Sequence, residues 1–129
     1  MSHLSVPVSV GELLDKMTIL DIKSRRLRDP QQQANVEREL SLLRDTWSKS
    51  APSSCDVGSL IDELTAVNEK LWVIEDQLRE KERDELFDDQ FVELARSVYR
   101  VNDQRAAIKK QINQLSGSEL VEEKQHPIY

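Results

Sequence analysis

Two long runs of apolar side chains, spaced alternately three and four residues apart, constrain this chain more than any other feature. One is Leu60, Leu64, Val67, Leu71, Ile74 and Leu78. The other is Phe91, Leu94, Val98, Val101, Ile108, Ile112 and Leu115, with Arg105 standing in the series. That spacing keeps one face of an α-helix apolar and excludes a strand, whose side chains alternate every second residue. The helices these runs predict, 58–85 and 89–116, are each roughly 40 Å long at about 1.5 Å rise per residue. Shorter versions occur at Val10, Leu13, Met17, Leu20, Ser24 and Leu27, and at Val36, Leu40, Leu43 and Trp47.

The punctuation agrees with four helices. Ser9 followed by Glu12 reads as a capping box. Asp29 and Pro30 read as an N-cap and first helical residue, where proline's missing N–H costs nothing. Gly117 is placed to end the last run in the left-handed conformation. The predicted helices cover 10–27, 30–47, 58–85 and 89–116, within one helical domain, 1–129. The polar loop from Ser48 to Gly58 separates the second from the third. "LSVPV" (residues 4–8) alternates in polarity and reads as an extended arm, at best a short edge strand because Pro7 cannot donate to a ladder. The C-terminal segment after Gly117 is a second arm. With only three glycines and four prolines, a sheet of many short strands is excluded. The expected fold is therefore all-α, an antiparallel bundle of two hairpins, the second long and coiled-coil-like.

Charge narrows the function classes. The net charge is −6, which disfavours nucleic acid as a partner because duplex binding depends on cations against phosphates. Residues 75–93 carry nine acidic and three basic side chains, whereas 94–116 carry five basic and one acidic. The sorted charge suits a solvated tip or an electrostatic docking surface. A single cysteine, Cys55, cannot close an intramolecular disulfide and fits a reducing compartment. No basic patch followed by an apolar run opens the chain, and no stretch of roughly 18 apolar residues could insert into a membrane. A cytoplasmic protein is expected. The end of the long hairpin, "REKERDELFDDQ", should protrude, and a homodimer is expected to cover it, with another protein as a further possible partner.

Asn102 and Arg105 lie on or beside an apolar stripe, where unpaired polar groups are costly. If the third and fourth helices turn back near Phe87, Asn102 falls opposite Trp72 and Arg105 opposite Glu69, with Asn68 adjacent. This polar layer reads first as a device that fixes register or oligomeric state. The alternative is a pocket in which Arg105 contacts an anionic ligand, in a small-molecule binder or enzyme. Catalytic arrangements are not apparent. No metal site and no cofactor are expected. Glu123-Lys124-Gln125-His126 supplies one Glu-x-x-His motif where di-iron bundles need two. Glu82, Glu85 and Asp88 overlap at a single exposed site and cannot form facing sides of a magnesium cage. Arg25 and Arg26 point apart, so they do not converge as a dicarboxylate pocket of the chorismate-mutase type requires.

Several phrases resemble a family of short bacterial and phage-borne helical proteins described only as a domain of unknown function. They are "SVGELLDKMTILDIK" from Ser9, "NVERELSLL" from Asn35, "VNEKLWVIED" from Val67, "FVELARSVYRVNDQRAAIKKQIN" from Phe91 and "GSELVEEK" from Gly117. The resemblance spans nearly the whole chain except the two tips and implies no activity, cofactor or catalytic residue. Asp15, Lys16, Asn102, Asp103 and Arg105 fall inside the matching phrases and join Asn68 and Glu69 as the candidate site.

Overall fold

The computed structural model describes residues 2–128; Met1 and Tyr129, the ends of the helical domain read from the sequence, lie outside them. Four helices pack together: α1 (Val10–Arg26), α2 (Pro30–Ser48), α3 (Gly58–Arg83) and α4 (Asp89–Ser116). A single 3-10 turn at Ala51–Ser54 lies in the loop before α3. The described residues form no strand, and the alternating segment 4–8 is exposed irregular chain.

Three of the four helices begin at a side-chain cap. The Ser9 hydroxyl accepts from the Glu12 N–H at the start of α1. Asp29 caps α2 through the Gln32 N–H, with Pro30 in the first turn. Asp88 caps α4 through the Phe91 N–H. Gly117 closes α4 at φ 65°, and the Ser118 N–H then donates to the Asn113 carbonyl. Helix α3 stops at Arg83 rather than at Glu85. Glu85 adopts φ 55°, a left-handed turn that the run "REKERDE" does not announce, and the Leu86 N–H reaches back to the Lys81 carbonyl.

The core has three parts. Leu14, Val57, Leu64 and Ile112 tie α1, α3 and α4 together. Leu20, Val36 and Leu40 join α1 to α2. Leu71, Ile74 and Val101 join α3 to α4, with Leu78, Leu94 and Val98 only partly covered around them. Residues 82–90 are all exposed.

Helix α1 differs from its expected stripe. It packs against all three other helices. Its buried residues are Gly11, Leu14, Asp15, Thr18, Leu20 and Ile22, while Val10, Leu13, Met17, Ser24 and Leu27 are only half-buried. A helix covered on two sides buries two stripes, and the second one here is partly polar. At the far end of the α4 stripe, Leu115 is exposed.

Candidate functional site

The polar residues of α1 meet polar residues of α3 and α4 in one buried layer. Gly11, Asp15, Thr18 and Ile22 recur at helical spacing on the α1 face turned toward those helices. Asp15 is 1% exposed. Arg105 of α4 lays one edge of its guanidinium on that carboxylate: Nε lies 3.0 Å from Oδ1 and 3.1 Å from Oδ2, and Nη2 donates to Oδ2. Asn68 of α3 donates from Nδ2 to Asp15 Oδ1 and to Thr18 Oγ1, both at 2.9 Å. The Thr18 hydroxyl donates to the Asp15 carbonyl at 2.7 Å. Asp15 thus bridges three helices.

One turn along α4, Lys109 extends the layer. Its ammonium donates to Glu12 at 2.6 Å and to Glu122 at 2.8 Å, and lies 3.8 Å from Asp15. Burial alone would lower the Lys109 pKa, but the bonds to Glu12 and Glu122 outweigh it and raise the value. The Lys109 bond in turn holds the Glu122 carboxyl below its ordinary range. The Arg105 pKa is raised, chiefly by its bond to Asp15. One further turn along, the Asn113 side-chain Oδ1 accepts the Gly11 N–H at 2.7 Å. A Cβ on Gly11 would stand 2.7 Å from the Lys109 carbonyl oxygen, so glycine permits the close approach of α1 and α4.

The first N–H groups of α1 are occupied by the protein itself. Val10 donates to the Ser118 hydroxyl, Gly11 to Asn113 and Glu12 to Ser9. A bare helix N-terminus would attract an anion, and this one is filled. Among the described residues, every buried side-chain nitrogen and oxygen has a hydrogen-bond partner.

The residues singled out from sequence divide into three groups. Asp15, Asn68, Asn102 and Arg105 come together; Asn102 Oδ1 lies 3.5 Å from Arg105 Nη1. Glu69 does not oppose Arg105. It takes Arg25 and Arg26 of α1 at 2.9 and 2.7 Å, which lowers its pKa, the Arg26 bond first. Lys16 turns away from the layer and pairs with Glu39 of α2 at 2.9 Å, with both side chains about half exposed. Asp103 is exposed and borders a groove with Tyr99, Asn102 and Arg105. The expected facing of α3 and α4 omitted α1, which inserts Asp15 where Glu69 was placed.

The layer also contains Glu12, Thr18, Lys109, Asn113 and Glu122, which sequence reasoning missed. Arg105, Lys109 and Asn113 follow one another at four-residue intervals, a polar line beside the α4 stripe that was the available signal.

Chemically, the layer holds helices together. Its carboxylates face cations and its amides are satisfied, so no general base stands beside a free nucleophile. Among the described residues, no three His, Cys, Asp or Glu side chains gather as a metal site. No described helix is long and apolar enough to cross a membrane.

The chain belongs to a family of unknown function (DUF6165), whose model matches residues 4–128. No curated protein and no solved structure matches it.

Proposed function

We propose that this protein is a non-enzymatic, self-associating interaction module of the cytoplasm. The observation that carries the reading is the incomplete burial of the outer α3–α4 pair. Around Leu71, Ile74 and Val101, the side chains of Leu78, Leu94 and Val98 remain partly open to water. Val73 on α3 and Val92 and Tyr99 on α4 are exposed at 43%, 51% and 43%. Val92 and Tyr99 are seven residues apart and share one side of α4.

On this reading α3 and α4 form a long antiparallel, coiled-coil-like hairpin, α1 and α2 form the shorter one, and a second copy covers the outer part of the longer. Lys81 of α3 pairs with Asp88 at the start of α4 at 3.0 Å, which supports a tight return between them. Charge supports a copy laid head to tail. Residues 75–93 are acidic, residues 94–116 are basic, and Arg100 and Lys110 make no ion pair among the described residues. Opposite charges aligned this way set orientation and speed encounter. The buried polar layer then serves as the register device of the fold, and the free thiol of Cys55 suits a reducing compartment.

Sedimentation velocity over a concentration series tests the reading. The wild-type chain is expected to sediment as a dimer, and a Val92→Glu, Tyr99→Glu variant as a monomer of unchanged helix content. A wild-type chain that stays monomeric throughout the series overturns it.

A further inference from the structure

We propose that the cleft between α1, α3 and α4 binds a small organic oxyanion on the outer edge of Arg105. The argument begins with the donors that Asp15 leaves unused. A guanidinium has five N–H groups in a fixed plane. Nε and one Nη2 proton face Asp15, and the other edge, formed by Nη1 and the second Nη2 proton, has, among the described residues, Asn102 Oδ1 alone, at 3.5 Å. An arginine held on one edge by a buried carboxylate presents a pre-organised fork on the other, matched to two oxygens of a carboxylate or phosphate.

Arg105 and Asn102 line a cleft of about 300 Å³ together with Lys23, Trp72 and Glu75, among others. Asp15 neutralises Arg105, so the further cation lining the cleft is Lys23. Lys23 is a half-buried residue and makes no ion pair among the described residues. The Asn68 amide is committed to Asp15 and Thr18 and stiffens the floor. Trp72 supplies a flat wall, backed by the Arg26 guanidinium 5.8 Å from its ring centroid. Glu75, exposed at the rim, offsets the Lys23 charge, so the site selects its oxyanion by the geometry of the guanidinium fork rather than by net charge. The volume lies at the lower end of ligand sites, roughly 300–1,000 Å³. The occupant is therefore compact, with one oxyanion group and a flat apolar body. The proposal stands apart from self-association, since the cleft lies within one chain.

Titration of the ¹⁵N-labelled full chain with benzoate, and separately with inorganic phosphate, tests the site. The Arg105 Nε–H and Trp72 indole signals should move saturably with at least one probe while the Trp47 indole stays still. Movement with benzoate alone assigns a carboxylate with a flat body, and movement with phosphate alone assigns a phosphate group. Lys23→Gln, which touches no buried partner, should weaken the binding roughly fivefold to tenfold, the loss expected for one charge-assisted hydrogen bond in a partly wet site. No saturable shift with either probe overturns the proposal, as does an unchanged affinity in Lys23→Gln.

Discussion

Arg105 and Asp15, ninety residues apart in sequence, form a side-on ion pair in which the Asp15 side chain is 1% exposed and that of Arg105 28%. The pair joins the first helix to the last, and Asn68 brings in the third. Removing one member leaves a buried charge, whereas replacing both by apolar groups does not. Asp15→Ala should therefore cost about 3 kcal/mol, the low end for a buried pair because Arg105 keeps some contact with water. The double change Asp15→Leu, Arg105→Leu should recover a large part of that loss. Urea unfolding of the two variants checks the difference. Equal losses in both would show that the ion pair does not govern the energetics of the layer.

Gly11→Ala should destabilise the fold although alanine is the better helix former. The propensity gain is about 1 kcal/mol. Against it, the new Cβ would meet the Lys109 carbonyl oxygen at 2.7 Å. Backbone must shift to relieve that contact, and overpacking of this kind costs about 1–3 kcal/mol. Thermal unfolding should show a lower Tm. Gly117→Ala provides the contrast: nothing lies within 4 Å, so only the positive φ opposes the change.

Acid should loosen the C-terminal arm before the core. Lys109 holds the Glu122 carboxyl below its ordinary range. A depressed carboxyl pKa stabilises the folded state above the unfolded-state value, and that stability is lost as pH falls through the lower folded-state value. Lys109 has a raised pKa, so its contribution persists up to the ordinary lysine range and fades only as pH rises through the folded value. Hydrogen exchange of residues 118–128, corrected for intrinsic rate, should increase on acidification while amides near Leu64 and Ile112 stay protected. The Glu122→Gln variant should already show the faster arm exchange at neutral pH.

A dimer implies a Tm that rises with protein concentration, by mass action. Scanning calorimetry across a dilution series should show this for the wild-type chain. The Val92→Glu, Tyr99→Glu variant should lose the dependence. A concentration-independent wild-type Tm would count against the second copy.

The helices were readable because their apolar spacing and caps agree, and their observed ends lie within two residues of those expected. Ser9, Asp29 and Gly117 act where their chemistry placed them. Asn102 and Arg105 were readable as out-of-place polar groups on a stripe. Their partner was not. Facing two helices in isolation puts Glu69 opposite Arg105, but α1 lies against both, and a three-helix contact cannot be derived from pairwise turns. The same cause hid Thr18 and Gly11: the sequence shows one apolar stripe on α1, while the second, Gly11–Asp15–Thr18–Ile22, mixes glycine, polar and apolar residues. Lys16 sits next to Asp15 in sequence and so points elsewhere on the helix, to Glu39.

The bond from the Gly11 N–H to Asn113 spans 102 residues, and that from Val10 to Ser118 spans 108. During synthesis α1 and α2 therefore leave the ribosome long before the groups that complete α1 exist. Asp15, Thr18 and Glu12 must wait in water, and the buried layer closes only after Arg105, Lys109 and Asn113 have been made. At roughly 5–20 residues per second that interval lasts on the order of seconds. The polar face suits the delay. Leu14 and Ile22 wait beside them, and the hydrated carboxylate and hydroxyl dilute the apolar character of the open helix until Arg105 and Lys109 arrive.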